Sequence, residues 1–234
     1  MSHRARFDDA VRALSSPGDL RADLCSPFLS VLPVTGVSIS VLGGIAGPGT
    51  ICASDRRASR LDELQFDLGE GPCWEAMASR RPVLTENIRH QTACDAWPAL
   101  VGALGDERIM GVFAFPLAVG SLDIGAVDLY TEHPARLDDG EVADAMALAG
   151  FAVWHVLHRV LDDHRSQEDS REEEPASSRR EFHQATGMVL AQMDVQASDA
   201  ALLIRAHAFS TGRTVLEVSR DIVDRRIVFS EEMP

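Results

Sequence analysis

The side chains best suited to chemistry lie in the last quarter of the chain, where arginines cluster with histidine and glutamine. Residues 178–234 hold seven arginines against eight acidic residues, a net charge of −1, whereas the whole chain carries −14. Arginine binds anions through several N–H donors, and glutamine and neutral histidine both donate and accept hydrogen bonds. The arginine-rich tail is therefore suited to an anionic partner, although the acidic balance argues against non-specific nucleic-acid binding by the whole protein.

The sequence shows no pattern typical of catalysis or of metal binding. The four cysteines are Cys25, Cys52, Cys73 and Cys94. None forms a C-x-x-C pair, which disfavours a zinc or thioredoxin-like site, and in a cytosolic protein we expect free thiols. The glycine-rich segment 43–49 lacks G-x-G-x-x-G spacing and precedes a predicted strand, and the chain has no lysine for a phosphate loop. We expect no enzyme activity, no metal and no cofactor.

Length and composition indicate a globular protein of 234 residues, 45% hydrophobic and 25% charged, with room for one medium and one small domain. No stretch reaches the ~18 uninterrupted apolar residues of a membrane span. The first 14 residues lack the apolar core and cleavage site of a secretion signal. We therefore expect a cytoplasmic protein that does not insert into a membrane.

The elements that must position these side chains begin with an α+β pattern over residues 1–165. The chain begins with an N-terminal helical region. A hairpin is then predicted by GVSISVL and GTICAS, and the helix that follows has Ser54 or Asp55 as its cap. RIMGVFAFPLAVG and SLDIGAVDLYTE predict two strands joined near Gly120. A long helix from about Leu137 to Arg165 ends this region. The order predicts a mostly antiparallel sheet with helices on its faces.

A charged linker at 166–177 separates this region from three short predicted helices at 178–234. Ser178 with Glu181, and Thr214 with Glu217, have the spacing of capping boxes, while the middle helix runs from Ser198 to a stop at Gly212. Each helix carries an apolar stripe, so the three can close one small core. A core of roughly 60 residues is marginal alone.

Residues 61–88, LDELQFDLGEGPCWEAMASRRPVLTENI, followed by WPAL, resemble the middle of an actinobacterial GAF domain. The resemblance covers roughly residues 8–165 and implies a sensor module with a pocket between the sheet and the helices and loops over one face. The candidate pocket residues are Phe66, Cys73, Trp74, Trp97, Phe113 and Phe115. Aromatic side chains around a cavity suit a planar or apolar ligand, of unknown identity. The alternative is that these residues fill the core of a dimerisation scaffold.

The tail resembles an ANTAR domain, the RNA-binding output module of transcription antiterminators, over all three helices. Matching positions are Ala185, Gly187, Ala200, Arg205, Ala208 and Val218. Thr186 stands where the family often has lysine, so a hydroxyl that can hydrogen-bond a phosphate replaces a charge. Ala201 stands where an aromatic residue is usual, which concerns packing of the core.

The ANTAR resemblance implies a face that reads RNA hairpins in nascent transcripts, through bases, phosphates and 2′-hydroxyls. The candidate RNA-binding residues are Arg179, Arg180, His183, Gln184, Thr186, Gly187, Arg205, Arg213 and Arg220. The long apolar-faced helix and the small tail core further predict a homodimer. The alternative is a small-molecule or protein-interaction sensor whose tail does not bind RNA.

Overall fold

The structure is a computed structural model that describes residues 2–15, 23–42, 49–169 and 178–229. The described helices are α1 (His3–Ser15), α2 (Ser26–Val31), α3 (Arg56–Leu68), α4 (Pro72–Ser79), α5 (Gln91–Ala96), α6 (Pro98–Leu104), α7 (Asp139–Asp169), α8 (Ser178–Met193), α9 (Ala197–Thr211) and α10 (Val215–Val223). The described strands are β1 (Gly36–Val41), β2 (Gly49–Ala53), β3 (Val83–Thr85), β4 (Gly111–Val119) and β5 (Leu122–Thr131). The strands and α1–α7 belong to one compact unit, the sheet unit, and α8–α10 form a second, the three-helix unit.

The described strands form one sheet in the order β2-β1-β5-β4-β3. Strand β5 pairs antiparallel with both β1 and β4, and β3 pairs antiparallel with β4. The predicted hairpin is confirmed, since β1 and β2 are neighbours. Of the two caps that the sequence allows, Ser54 and Asp55, the N-cap of α3 is Asp55, which accepts hydrogen bonds from the backbone N–H groups of Arg57 and Ala58. The α+β fold with an antiparallel sheet and flanking helices is thereby confirmed.

Side-chain alternation along the strands divides the sheet unit into two cores. On the first face, residues such as Ile39, Phe113 and Leu129 pack with α1, α2 and α7. On the opposite face, Val112 and Tyr130 pack with α3, α5 and α6. Successive residues along a strand point to opposite faces of the sheet. The register of each strand therefore decides which of its side chains enter each core.

Cys25 and Cys52 form a disulfide, with Cα atoms 6.3 Å apart. The prediction that all four cysteines are free thiols is wrong for this pair. Cys25 immediately precedes α2, and Cys52 lies in β2, 27 residues further along the chain. The fold brings both to the first core, which spacing in the sequence did not reveal.

Helix α7 begins two residues later than predicted and extends to Asp169, so the first four residues of the predicted linker are helical. Residues 170–177 lie outside the described part of the chain. The segment Asp139–Arg159 is long and apolar enough to cross a membrane by length and composition alone, with a mean hydropathy of 1.2. A core helix of a soluble protein passes the same test.

The three-helix unit closes its core with the predicted stripes. The buried side chains that belong to these stripes are Phe182, Ala185, Val189, Ala200, Ile204, Ala208, Val215, Val218, Ser219 and Ile222. Thr214 and Glu217 form the predicted capping box at the start of α10, with each side chain bonded to the other residue's backbone N–H. Gly212 ends α9 in the left-handed conformation, at φ 65°.

Candidate functional site

A cavity of about 480 Å³ opens at the edge of the sheet, between β3, α4 and α5. Its volume lies in the range of roughly 300–1,000 Å³ typical of small-molecule sites. Strand β3 forms one wall because it pairs only with β4 in the described sheet and leaves its other edge open. The lining residues are Glu75, Val83, Leu84, Thr85, Glu86, Asn87, His90, Thr92, Ala93, Ala96 and Trp97.

The cavity joins an aromatic wall to two carboxylates. Trp97 is 8% exposed and forms part of the second core, so its ring is held in place. Glu75 on α4 and Glu86 after β3 are exposed, and Glu86 lies 3.7 Å from the guanidinium of Arg136. The lining itself contains no arginine. This combination favours a ligand with an apolar body and a positive charge or hydrogen-bond donors.

His90 adds an oriented imidazole to the mouth of the cavity. It is the N-cap of α5, and its Nδ1 accepts a hydrogen bond of 3.4 Å from the backbone N–H of Thr92. The exposed imidazole is thus oriented by its own helix and can hydrogen-bond a ligand in the cavity.

A buried polar layer connects the second face of the sheet to α4. Gln65 on α3 donates from Nε2 to Asp128 Oδ2 at 3.1 Å and accepts at Oε1 from the Cys73 N–H at 2.9 Å. Trp74 donates its indole N–H to the Gln65 carbonyl at 2.6 Å. Since Glu75 follows Trp74 directly, this layer fixes the helix that carries one cavity carboxylate.

The predicted pocket residues separate onto different parts of the fold. Phe113 and Phe115 lie in the first core, on the face of the sheet opposite Trp97. Cys73 packs with Leu42 and Ala126 in a small cluster beside Trp74, and Phe66 is buried on α3. Only Trp97 of the six lines the described cavity. The six do not share one pocket because strand alternation turns the two phenylalanines away from α4 and α5.

The residues that the sequence analysis missed are polar ones on short elements, notably Glu75, Glu86 and His90. They are spread over α4, the end of β3 and the start of α5, so no regular spacing links them. A cap pattern at His90 was the one available signal. Within the described ranges, no group of three or more histidine, cysteine or acidic side chains could hold a metal ion.

The second candidate site is the exposed side of α8 in the three-helix unit. His183, Gln184 and Gly187 are all exposed there and recur with helical spacing, so they share one side of the helix. Desolvation lowers the pKa of His183, so its imidazole is neutral at pH 7. Arg179 and Arg180 lie in the first turn of the same helix, and their side chains are outside the described part.

The remaining predicted arginines are held by contacts within the unit. Arg220 pairs with Glu181 at 2.8 Å, which ties α10 to α8. Arg213 pairs with Asp221, and the Arg205 guanidinium lies 5.2 Å from the centre of the Phe182 ring. These contacts hold the helices together. A binding partner that used these arginines would have to replace the contacts.

Thr186 does not present its hydroxyl to a partner, contrary to the expectation that it could bond a phosphate. The side chain is 8% exposed, and its Oγ1 donates a hydrogen bond of 2.7 Å to the Phe182 carbonyl one turn earlier. Its hydroxyl is therefore bonded within the helix and is not accessible to a partner.

Comparison with known proteins gives one family. The family model described as GAF domain matches residues 29–158. No curated protein is detectably similar in sequence to this chain. The match ends before α8, so the likeness of the three-helix unit to an ANTAR domain stays a prediction.

Solved structures share the fold of the sheet unit at low identity. The GAF domain of a phosphoenolpyruvate-protein phosphotransferase from Coxiella burnetii is 14% identical with a TM-score of 0.55, covering 69% of this chain and 96% of its own. The equivalent domain from Acinetobacter gives 15% and 0.52, with 68% and 95% covered. The chromophore-binding domain of a bacteriophytochrome from R. palustris gives 8% and 0.51, with 68% and 62% covered.

Proposed function

Because this chain belongs to the GAF domain family of sensor modules, we propose that its sheet unit senses a signal and that its three-helix unit binds RNA hairpins in nascent transcripts. A small molecule in the cavity at β3 is the signal, and RNA binding favours antitermination over a terminator. The observation that carries the RNA proposal is the exposed side of α8.

The exposed glycine Gly187 supports the proposal that a partner approaches α8 closely. A Cβ at this position would meet nothing within 4 Å, so the fold of the unit does not require glycine there. Glycine inside a helix costs about 0.5–1 kcal/mol relative to alanine, so its presence here has a cost without an internal benefit. A glycine on an exposed helix side lets the backbone of a partner approach the helix closely.

The neighbouring side chains supply the chemistry that a hairpin loop needs. His183, neutral at pH 7, can stack on an unpaired base and hydrogen-bond its edge, and Gln184 can bond bases or 2′-hydroxyls. Arg179 and Arg180 supply the phosphate contacts. Arg205, Arg213 and Arg220 mainly hold the three helices together. The proposed RNA-contact surface therefore consists of residues on α8.

The RNA proposal is tested by an electrophoretic mobility shift of the full chain with a pool of hairpin transcripts. We expect the double variant His183→Ala/Gln184→Ala to weaken binding of its best hairpin by about tenfold or more, from loss of base contacts. Gln196→Ala is the matched control, since this exposed glutamine precedes α9 and makes no side-chain cap bond. Equal weak binding to every RNA, or no loss in the double variant, would favour the alternative of a sensor whose tail does not bind RNA.

The signal proposal is tested by thermal denaturation with a panel of small aromatic and aliphatic amines. A ligand of this class should raise the midpoint for the wild type, because it binds only the folded state. Glu75→Gln/Glu86→Gln should abolish the rise, while Glu63→Gln, an exposed acid on α3 outside the cavity, should retain it. A rise that survives loss of both cavity carboxylates would place the ligand elsewhere.

A further inference from the structure

The cavity at β3 follows the edge of this strand and does not lie on one face of the sheet. Its lining includes the run 83–87 without a gap. Successive side chains of a strand point to opposite faces, so a pocket on one face would be lined by alternate residues only. Val83 packs against the second core, whereas Leu84 pairs with Phe113, whose side chain lies in the first core. Because both line the cavity, it is a groove along the strand edge, here called the β3 groove.

The backbone of β3 offers hydrogen-bonding groups to the β3 groove. Every residue of a strand other than proline carries one N–H and one C=O, and alternate residues direct them toward the two neighbouring strand positions. In the described sheet β3 pairs only with β4, and within the described ranges no further group bonds the backbone of Val83, Leu84 or Thr85. An open edge of this kind is a template for one more strand.

Helix α5 and the residue after it form another wall of the β3 groove. Thr92, Ala93, Ala96 and Trp97 line it and recur on one side of the helix. The two alanines are small, so they leave space for a peptide backbone between the helix and the strand. The run 83–87 extends about 13 Å at roughly 3.3 Å per residue. The length of the groove therefore suits an extended peptide of about four or five residues, bound by strand addition.

The charges of the β3 groove favour a basic peptide. Glu75 and Glu86 are both exposed in it, and none of the described lining residues is an arginine. Trp97, held by the second core, offers a ring to a cation. Glu86 also lies 3.7 Å from Arg136, but both side chains are exposed, and a peptide can replace such a surface pair at little cost.

We propose that the β3 groove binds a free oligopeptide of about four or five residues with arginine or lysine side chains, which pairs with β3 as an added strand. This inference rests on the proposed sensing site and names the class of its ligand. Backbone pairing with β3 supplies affinity, while Glu75, Glu86 and Trp97 select basic side chains.

The experiment is fluorescence anisotropy of the full chain with a pool of labelled pentapeptides that carry arginine at the second and fourth positions. We expect saturable binding in about 150 mM salt, and binding weaker by about tenfold or more for a pool with glutamate in place of arginine.

Two further arginine pools carry N-methyl groups on the backbone nitrogens of either the odd or the even positions. N-methylation removes an N–H donor and keeps the charge, so it separates strand pairing from general attraction to a chain of net charge −14. Alternate residues of an added strand face β3, so one of the two pools should lose about tenfold or more in affinity and the other should not.

Leu84→Lys tests the same edge from the side of the protein. Leu84 is 44% exposed, so the added charge should leave the fold intact but repel a basic peptide and weaken binding about tenfold. Leu122→Lys is the matched control, because Leu122 is 48% exposed at the start of β5 and does not line the groove. Thermal melts by circular dichroism check that both variants fold.

An absence of saturable binding, equal behaviour of the two N-methylated pools, or equal binding of the glutamate pool overturns the inference. Small amines that raise the melting midpoint while no pentapeptide binds would keep the proposed sensing site and overturn the peptide as its ligand. Tighter binding of the same five residues within a longer glycine–serine chain would make a protein segment the partner, and this also overturns the free oligopeptide.

Discussion

Gln65 and Asp128 are both buried and are joined by a hydrogen bond of 3.1 Å from Gln65 Nε2 to Asp128 Oδ2. The same amide accepts a bond from the Cys73 N–H, so one side chain connects α3, the middle of β5 and the start of α4. Buried polar groups are costly unless each is bonded, which makes such a bridge sensitive to change. The position of the cavity wall at Glu75 depends on it.

Replacing Gln65 by Leu should destabilise the sheet unit by about 2–4 kcal/mol, because it removes both the amide that donates to Asp128 Oδ2 and the carbonyl that accepts from the Cys73 N–H. Urea unfolding monitored by circular dichroism measures the change. Glu63→Ala on the exposed side of the same helix serves as the control and should stay within about 0.5 kcal/mol. A Leu variant as stable as this control would show that the bridge contributes nothing.

The contact between Tyr130 and Asp55 predicts how stability depends on pH. Tyr130 donates to Asp55 at 3.0 Å. Burial by itself raises the pKa of Asp55, but the hydrogen bonds it accepts outweigh burial and lower the pKa. A lowered folded pKa gives stability that is complete above the unfolded value of about 3.9 and is lost as the pH falls through the folded value.

Tyr130→Phe should therefore cost about 0.5–1.5 kcal/mol at pH 7, and the difference from wild type should narrow as the pH falls below the ordinary carboxyl pKa of about 3.9 and through the lowered pKa of Asp55. Urea titrations at neutral and acidic pH measure it. Burial and the nearby Asp55 raise the pKa of Tyr130 to about 12, so the wild type should also lose stability as the pH rises from about 10 toward that value. A constant difference between the proteins at both acidic and neutral pH would argue against the coupling.

The Cys25–Cys52 disulfide should stabilise the sheet unit, because it closes a loop and so restricts the unfolded chain. Its two cysteines are 27 residues apart, and closing a loop of this length corresponds to about 3.5 kcal/mol of lost conformational entropy in the unfolded chain. The variant Cys25→Ser/Cys52→Ser should lose stability of that order in urea, and added reductant should have the same effect on the wild type. Reductant should leave the double variant unchanged. A wild type insensitive to reductant would contradict this contribution.

Gly187→Gln should separate the stability of the three-helix unit from its binding of RNA. The added side chain meets open space, so the unit should gain about 0.5–1 kcal/mol while hairpin affinity falls by about tenfold. Ala206→Gln, on the exposed side of α9, should leave affinity unchanged. Mobility shifts and thermal melts on the same samples measure both quantities. Retained affinity in Gly187→Gln would remove α8 from the contact surface.

Local patterns along the chain were sufficient for much of the fold. The Asp55 cap, the capping box at Thr214, and the Gly212 stop each depend on residues within one turn, so sequence spacing predicts them directly. The buried stripes of α8–α10 follow from helical periodicity in the same way. The predicted pocket residues lie on both faces of the sheet. The sequence did not show this, because aromatic content does not say which face of a sheet a side chain occupies.

The sequence by itself determined the order of the main helices and strands, the caps at Asp55 and Thr214, and the apolar stripes of α8–α10, since these depend on neighbours along the chain. Only the tertiary structure decided that Cys25 meets Cys52, that Phe113 turns away from Trp97, and that Glu75, Glu86 and His90 converge on one cavity. It also decided that Thr186 points inward and bonds Phe182. These relationships depend on strand register and on the packing of distant segments, which leave no periodic signal in the chain.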